Sequence, residues 1–377
     1  MKHKKLIRLT THSQTLGLLR GQIGFIGKEW DVILVAKDTG NLRQLAEQEG
    51  VEFRNIDIHR EISLLADIKS LWILIKLFRK EHPYIVHANT PKGALLGLLA
   101  AKLTGVKHRI YNVNGLRFET ATGNFRRLLI FMEKIACACA TKVIPQSTGV
   151  AEVVQREYIT KKPLKILHNG SGNGVDTDYF NPNSTEIRER VSEIRGDWQG
   201  IAFVFVGRLV GDKGINELIE AFNRLSKDFS DVRLNLVGKR ENKLDPLKKE
   251  TIDIIENNNR IIEFGRQDDV RPFLKASDIF VLPSYREGFP NVVLEAAAMG
   301  LPCIVSEVNG ATDVIQNNIN GLIIPKRDSE ALYQAMRKLY LKSTLRKRMA
   351  SIARSIVSER FNRLDIWQAT LNMYNSL

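Results

Sequence analysis

Short apolar runs rich in Val and Ile alternate along this chain with longer segments in which apolar residues recur at helical spacing. Residues 64–79 and 215–227 show the second pattern and are predicted to be helices. Strand, helix and strand in repeated succession form right-handed crossovers, so the alternation predicts an α/β protein with parallel sheets covered by helices. The predicted strands are residues 5–9, 31–35, 85–87, 109–113 and 142–145 in the first half, and 202–206, 233–237, 261–264, 279–282, 303–305 and 321–323 in the second.

The chain changes character at residues 168–182, where the sequence HNGSGNGVDTDYFNP is typical of an interdomain loop. We therefore expect an N-terminal domain over residues 1–168 and a C-terminal domain over residues 169–359. The end of the chain, 358–377, is predicted to be helical, and its part 360–377 is expected to pack back on the first domain. Open parallel sheets bind ligands at the carboxyl ends of their strands, so two Rossmann-like domains facing across a cleft are expected to place a site between them.

Hydropathy and cysteine content exclude two classes of protein. The longest apolar run, residues 94–101, is far shorter than the roughly 18–20 residues of a membrane-spanning helix, which excludes an integral membrane protein. The three cysteines, Cys137, Cys139 and Cys303, are too few for a disulfide framework and fit a reducing cytosol. No further Cys or His lies at metal-ligand spacing from them, so we expect no metal site.

The net charge of +14 is concentrated in the first half of the chain. Residues 1–170 hold 27 Lys+Arg against 14 Asp+Glu, whereas the remainder holds 29 against 28. A one-sided basic balance indicates an anionic partner, which can be a nucleic acid, an anionic membrane surface or a phosphorylated substrate. A surface that is simply kept soluble by its charge is the other interpretation.

The sequence FVGRLVGDKGI places two cations around a glycine-rich loop that leads from a strand into a helix. Gly207 permits a tight exit from the strand, and Arg208 and Lys213 flank the loop. Cations beside the backbone donors of a helix start suit a diphosphate. The same segment is also compatible with an ordinary turn that carries solvated bases, and it is not a Walker motif.

The sequence PSYREGFPNVVLEAAAMGLP carries two carboxylates eight residues apart. Glu287 is expected on the loop after a strand, and Glu295 on a helix that Pro290 opens. The pair suits an acid and base, metal ligands, acceptors for sugar hydroxyls, or merely solvated acids at a helix cap. Glu295 has mostly apolar neighbours, so a buried carboxylate there needs a partner.

GRLVGDKG, EGFPNVVLE and EAAAMGLPCI together resemble the retaining glycosyltransferases of family 4, which have the GT-B fold. HNGSGNGVDTDYF resembles the interdomain loop of that family. PKGALLGLLAAKLTG and YNVNGLRFETATGNFRRLL are similar to the subgroup that builds bacterial capsule, exopolysaccharide and O-antigen units on polyprenyl diphosphate. The resemblance implies retaining transfer of a sugar, without a metal ion or other cofactor, from a UDP-sugar to a polyprenyl-diphosphate-linked saccharide.

The resemblance also implies roles for individual residues. Arg208 and Lys213 would hold the donor diphosphate, Glu287 would meet the donor sugar, and Glu295 would bind the ribose hydroxyls. Arg208, Lys213 and Glu287 are accordingly the expected catalytic residues. The remaining expected donor contacts are Gly17, Gly207, Gly238, Phe264, Gly265, Gly288, Phe289, Pro290 and Asn291. The expected acceptor contacts are Lys92, Asn114 and Arg117.

The chain departs from the family at Asn114-Gly115, where many relatives carry His-Gly. Asn cannot act as a base near neutral pH, so the departing phosphate is left as the expected proton acceptor. Asp176-Thr-Asp178 looks like the DxD metal motif of another glycosyltransferase fold but is interpreted as part of the interdomain loop. His12 and His87 lie near predicted strand ends and are interpreted as structural.

Two segments, residues 64–80 and 124–132, combine basic with apolar residues. Helices of this composition either lie in a membrane interface or pack on the sheet of their own domain. The resemblance favours a cytoplasmic protein that associates peripherally with the inner face of the membrane. Two other functions stay open: a GT-B-like epimerase or phosphorylase, and a non-catalytic basic protein that binds nucleic acid. The sequence contains no recognisable nucleic-acid module, so a nucleic acid is not the expected partner.

Overall fold

The computed structural model describes residues 4–59, 62–241 and 245–377. The chain forms two compact units. The first unit contains the residues up to Asn173 together with Arg363–Leu377, and the second contains Gly174–Asn362. The sequence placed these divisions at 168/169 and 359/360, a few residues earlier in each case.

Within the described residues, the first unit holds a sheet of six parallel strands in the order β3-β2-β1-β4-β5-β6. Its strands are β1 (Lys5–His12), β2 (Asp31–Lys37), β3 (Glu52–Asn55), β4 (Ile85–Ala88), β5 (His108–Val113) and β6 (Lys142–Pro145). Five of these were predicted, and β3 was missed. It is an edge strand with the sequence EFRN and no buried residue, so it lacks the apolar run that marks the others.

The helices of the first unit begin and end at ordinary helix signals. Pro91 occupies the first turn of its helix, and His82 ends another in the left-handed conformation at φ 47°. These helices are α1 (Ser13–Gly17), α2 (Gln22–Gly27), α3 (Leu42–Glu49), α4 (Leu64–Glu81), α5 (Pro91–Leu103), α6 (Gly123–Cys139) and α7 (Thr148–Arg156). The basic segments 64–80 and 124–132 of the sequence therefore lie in α4 and α6.

The described residues of the second unit form a further sheet of six parallel strands, in the order β12-β11-β10-β7-β8-β9. All six were predicted: β7 (Ile201–Val206), β8 (Val232–Val237), β9 (Ile261–Glu263), β10 (Ile279–Leu282), β11 (Cys303–Ser306) and β12 (Gly321–Ile324). The helices are α8 (Arg188–Arg195), α9 (Ile215–Asp228), α10 (Lys249–Asn257), α11 (Arg271–Lys275), α12 (Asn291–Ala298), α13 (Ala311–Val314), α14 (Ser329–Leu341) and α15 (Ser343–Arg360).

The end of the chain, predicted to be helical over 358–377, is divided between two helices. The helix α15 ends at Arg360, and a separate helix, α16 (Arg363–Asn375), follows. The break has a packing cause, because Phe361 is fully buried in the core of the second unit, 5.6 Å from the ring of Phe289. Its carbonyl accepts a hydrogen bond from Val175 N at 2.9 Å.

Each sheet is buried on both faces, as parallel sheets require. One face of the first sheet packs on a core that includes α5 and α6, and its other face packs on α1, α2, α3 and residues of α16. A single contiguous core surrounds the second sheet. No helix among the described residues is long and apolar enough to cross a membrane.

Candidate functional site

The second sheet reverses its direction of growth between β7 and β10, which lie side by side. From β7 the chain continues to β8 and β9 on one side, and from β10 to β11 and β12 on the other. Such a switch point leaves a crevice at the carboxyl ends of the strands, where open α/β sheets bind ligands. The two motifs singled out in the sequence are the loops that leave β7 and β10 at this point.

The two loops lie against each other. Tyr285 N donates a hydrogen bond to Asp212 O at 2.9 Å. Gly214 has φ 70°, and a Cβ on it would lie 2.1 Å from the carbonyl oxygen of Pro283. Only glycine permits this conformation at so close an approach. Gly214 therefore fixes the distance between the loop after β7 and the loop after β10.

The switch point holds the predicted cation and carboxylate in direct contact. Lys213 Nζ lies 2.5 Å from Glu287 Oε1, and the Oγ of Ser284 donates to the same carboxylate oxygen at 2.7 Å. Both charged side chains are largely buried, with exposed fractions of 20% and 12%. The Lys213 ammonium has three N–H donors, so it can hold Glu287 and still donate to a phosphate oxygen.

Arg208 stands apart from this pair. Its guanidinium is about half exposed and lies 2.5 Å from the carboxylate of Glu241. An exposed ion pair of this kind contributes only about 0–1 kcal/mol. The guanidinium can therefore exchange Glu241 for the oxygens of a phosphate at little cost, and it can do so with two parallel hydrogen bonds.

Three of the predicted glycines adjoin one another at the ends of neighbouring strands. Gly207 follows β7, Gly238 follows β8, and Gly265 lies two residues after β9. Gly238 N donates to Gly265 O at 2.8 Å, and a Cβ on Gly238 would lie 1.7 Å from Gly207 O. Phe264, also predicted, packs its ring 4.9 Å from that of Phe273. Gly238 thus packs directly on Gly207, whereas a Cβ on Gly265 would meet nothing within 4 Å, so open space adjoins the strand ends at Gly265.

Glu295 lies in the second turn of α12, among the apolar side chains of that helix. It forms no side-chain hydrogen bond or ion pair within the part of the chain that the structure describes. Burial raises the pKa of Glu295 to about 7. Near neutral pH this half-buried carboxyl therefore exists in both its charged and its neutral form, and no side chain in the described chain neutralises it.

The start of α12 carries the remaining predicted donor contacts. Pro290 is the N-cap, and Asn291 is the first helical residue, with a buried side-chain oxygen that has no protein partner in the described chain. The loop before it is fixed by Gly310, on which a Cβ would lie 2.5 Å from Gly288 O and from Phe289 Cα. The backbone of these residues is therefore held in one position.

Sequence analysis missed two features of the site. Ser284 orients Glu287, and its carbonyl accepts a hydrogen bond from Ser306 Oγ at 2.5 Å. Arg286 lies 3.6 Å from Asp212, with a buried Nε that has no protein partner among the described residues. The available signal was position alone, since Ser284 and Arg286 lie within three residues of Glu287 on the loop after β10.

The predicted residues of the first unit lie at the carboxyl ends of its strands. Gly17 ends α1, and a Cβ on it would meet only Asn41 Nδ2 at 3.7 Å. Lys92, at the start of α5, is buried and paired with Asp67 at 2.7 Å. Asn114 follows β5 and accepts a hydrogen bond from Asn112 Nδ2 at 2.5 Å.

Arg117 and the DxD-like segment complete the set of predicted positions. Arg117 is exposed, and its guanidinium lies 5.6 Å from the centre of the Phe125 ring. Asp176 accepts hydrogen bonds from the backbone N–H groups of Asp178 and Tyr179, both at 3.1 Å, which is a turn within the interdomain loop. Among the described residues, no three His, Cys, Asp or Glu side chains are grouped closely enough to hold a metal ion.

Two family models match the chain. The model described as "Glycosyl transferases group 1" matches residues 193–356, and the model described as "Glycosyl transferase 4-like domain" matches residues 22–170. The first match covers the switch-point motifs of the second unit. The second covers most of the first unit.

Two relatives match along most of their length. The chain is 34% identical over 378 residues to "Capsular polysaccharide biosynthesis glycosyltransferase CapM" of Staphylococcus aureus, covering 100% of this chain and 98% of that protein. It is 30% identical to "UDP-Gal:alpha-D-GlcNAc-diphosphoundecaprenol alpha-1,3-galactosyltransferase" of Escherichia coli, covering 89% of this chain and 86% of that protein. Anabaena Alr3699/HepE, solved in complex with UDP-glucose, is similar in structure with a TM-score of 0.82 at 19% identity over 100% of both chains.

Proposed function

Because the chain belongs to the family 4 glycosyltransferases and has their GT-B fold, we propose that it transfers a sugar, with retention and without a metal ion, from a UDP-sugar to a polyprenyl-diphosphate-linked saccharide. The product would be an intermediate of a bacterial surface polysaccharide. The observation that carries the proposal is the contact of Lys213 with Glu287 at the switch point of the second sheet.

The proposed chemistry follows from where charge develops. Cleavage of the bond between the sugar and the diphosphate leaves negative charge on the departing phosphate, and preorganised cations lower the energy of that transition state. Arg208 and Lys213 would supply this stabilisation in place of a divalent ion. Glu287, held by Lys213 and Ser284, would accept hydrogen bonds from hydroxyls of the donor sugar.

The nucleoside end of the donor would occupy the strand ends and α12. The carboxyl of Glu295 lacks a protein partner in the described chain, and the two ribose hydroxyls would supply one. The base would lie at Gly238 and Gly265, beside Phe264. Support for uridine comes from the names of the Escherichia coli relative and of the Anabaena complex, which contain UDP-Gal and UDP-glucose.

The acceptor is assigned to the first unit on grounds of charge and of relatives. The Escherichia coli relative is named for a diphosphoundecaprenol acceptor, and residues 1–170 carry nearly the whole excess of positive charge. We assign Asn114 and Arg117 to acceptor contacts. Lys92 can join them only if its buried ion pair with Asp67 opens. The departing phosphate would take the acceptor proton, as Asn114 cannot.

A lipid-linked acceptor requires a membrane surface, and the first unit offers a face that suits one. The helices α4 and α6 expose large apolar side chains, among them Leu65 at 84% and Phe131 at 60%. The remaining ones are Leu64, Ile68, Trp72 and Ile73 on α4, and Phe125 and Leu128 on α6. Lys69, Lys76, Arg126 and Arg127 lie on the same helices. Bases beside exposed apolar residues bind anionic bilayers, so we place the protein peripherally at the cytoplasmic face of the membrane.

A donor panel tests the proposed function. UDP- and GDP-sugars are incubated with polyprenyl-diphosphate-linked saccharides in the presence of EDTA, and the elongated lipid is detected by mass spectrometry. Transfer from a UDP-sugar supports the proposal. A parallel reaction contains inorganic phosphate. Interconversion of the free UDP-sugar without elongation would support the epimerase instead, and formation of sugar 1-phosphate and UDP only when phosphate is present would support the phosphorylase.

A further inference from the structure

A buried arginine of the first unit has no anionic partner. Arg8 lies on β1 with only 2% of its surface exposed. Its guanidinium donates to Tyr374 Oη at 2.8 Å, Asn89 Oδ1 at 3.1 Å and Gln22 Oε1 at 3.4 Å, and it contacts no carboxylate within the described chain. All three acceptors are neutral. A buried charge without a counter-charge is costly, so this position calls for an anion.

His87 lies beside Arg8 on the neighbouring strand β4, in register with it, and is 3% exposed. Its Nδ1 is 2.6 Å from Tyr374 Oη. Burial, together with the charge of Arg8, lowers the pKa of His87 well below its usual range, so the ring is neutral. The tautomer of the His87 ring follows from its contact with Tyr374. Tyr374 Oη accepts from Arg8 and must donate its own hydrogen to His87 Nδ1, which leaves the ring proton on Nε2.

Two donors are thereby left over. His87 Nε2–H and Arg8 Nε–H are both buried and have no protein partner among the described residues. Both side chains line one cavity of about 20 Å³, which also borders Asn112, Gln146 and residues 170–172. This volume exceeds what a single water requires but is too small for a sugar or a nucleotide.

We propose that this cavity binds a small monovalent anion of the size of chloride, held by Arg8 and His87. The anion neutralises the Arg8 guanidinium and accepts the two leftover N–H bonds. Water satisfies the second requirement but not the first. All of the residues that line this cavity belong to the first unit, whereas the loops after β7 and β10 belong to the second.

The position of the cavity gives the anion a structural consequence. Tyr374 and Thr370 lie on α16, and Gly172 belongs to the segment that accepts a hydrogen bond from Gln22 Nε2 at 2.9 Å. Both segments pack on the first sheet around Arg8. A bound anion therefore strengthens the attachment of α16 and of 170–172 to this sheet, and the first unit should gain stability from it.

Thermal unfolding of the full chain in chloride tests the proposal. Sodium chloride replaces sodium gluconate, which is too large for the cavity, at constant ionic strength. We expect the Tm of the first unit to rise by about 2–4 °C between about 1 mM and about 300 mM chloride. Arg8→Met should abolish this response. Arg233→Met is the matched control, since Arg233 is also a strand residue buried to 8% exposure with an Nε that lacks a partner, but it lies in the second unit.

Equal chloride responses in Arg8→Met and Arg233→Met, or no response in the unmodified protein, contradict the proposal. A second measurement needs no variant, in case Arg8→Met fails to fold. Crystals of the unmodified protein grown in sodium bromide should show an anomalous peak at hydrogen-bonding distance from Arg8 Nε and His87 Nε2. Density without anomalous signal at that position identifies water and overturns the assignment.

Discussion

Lys213 Nζ and Glu287 Oε1 lie 2.5 Å apart, although 74 residues separate them in the chain. Each belongs to a loop that leaves a strand at the switch point of the second sheet, and the neighbouring Gly214 sets the distance between those loops. In the proposed reaction, Lys213 would be the cation beside the departing diphosphate and Glu287 the acid beside the donor sugar. Its geometry underlies the proposed function.

Variants of Arg208 and Glu241 test whether Arg208 binds the donor diphosphate, because one should weaken UDP binding and the other should tighten it. Arg208→Ala removes the proposed phosphate donor and should weaken UDP binding about 10- to 150-fold, since a charge-assisted hydrogen bond is worth about 1.5–3 kcal/mol. Glu241→Ala frees the guanidinium and should tighten binding. Isothermal titration calorimetry measures both. Arg224→Ala is the control, because Arg224 forms an exposed ion pair with Glu330 on other elements of the same unit and should leave the affinity unchanged.

The raised pKa of Glu295 predicts how UDP affinity depends on pH. A carboxylate accepts both ribose hydrogen bonds, whereas the protonated acid competes as a donor. Because the pKa is about 7, UDP binding should tighten as pH rises from 6 to 8. Glu295→Gln should bind more weakly and lose most of this dependence. If the UDP affinity of Glu295→Gln depends on pH in the same way as that of the unmodified protein, Glu295 does not bind the ribose.

The same shift predicts a change in folding stability with the opposite sign. A carboxyl whose native pKa lies above its unfolded value binds more protons in the native state, so the free energy of unfolding falls as pH rises from about 4.5 to about 7. Burial raises the pKa of Glu133 in the first unit in the same direction, so the total pH dependence has two sources. In urea denaturation, the free energy of unfolding of Glu295→Gln should rise relative to that of the unmodified protein as pH increases from 5 to 8. If the difference between the two free energies does not change with pH, the raised pKa of Glu295 is contradicted.

Gly214 and Gly50 form a matched pair for testing the loop contact. Both are in the left-handed conformation, Gly214 at φ 70° and ψ 25° and Gly50 at φ 66° and ψ 35°. A Cβ on Gly214 would clash with Pro283 O, whereas a Cβ on Gly50 would meet nothing within 4 Å. Each Gly→Ala change costs about 1–2 kcal/mol for the backbone conformation. Gly214→Ala should cost more than this and should also lower transfer activity. Urea denaturation and a transfer assay measure the two effects, and equal losses in both variants would contradict the contact.

The exposed apolar face of α4 and α6 predicts binding to anionic vesicles. The protein should co-sediment with liposomes containing phosphatidylglycerol at low salt and dissociate as salt rises, because screening weakens the attraction. Leu65→Glu with Phe131→Glu should abolish sedimentation. Leu341→Glu is the control, since Leu341 is 51% exposed in the second unit. The proposed membrane association is contradicted if the double variant still co-sediments with the liposomes. It is also contradicted if the unmodified protein does not co-sediment at low salt.

The sequence predicted eleven of the strands, and the position of each switch-point motif after its strand, for one physical reason. Each strand is buried on both faces and therefore reads as an apolar run, and the polar motif follows directly after it. The edge strand β3 has no such run. The break at Phe361 could not be predicted either, because a buried aromatic residue fits a helix equally well until its packing partner, Phe289, is known.

The buried cluster of the first unit was beyond sequence analysis for a different reason. Arg8 and Tyr374 are 366 residues apart, and each is a polar group among apolar neighbours of its own strand or helix. His87 was interpreted as structural, and its burial against Tyr374 agrees with this. Only the folded chain brings the three together and leaves two donors unpaired. Long-range polar clusters have no local periodicity that a single sequence could reveal.

The most direct measurement of the central claim is sugar transfer by the unmodified protein and by Lys213→Ala, Glu287→Ala and Lys227→Ala. Radiolabelled UDP-sugar, a polyprenyl-diphosphate-linked acceptor and EDTA are supplied, and NMR gives the anomeric configuration of the product. We predict metal-independent transfer with retention, a fall in kcat of about 10²–10³ in the first two variants, and no change in Lys227→Ala, whose side chain is exposed on α9. Unchanged transfer in Lys213→Ala and Glu287→Ala would contradict the account.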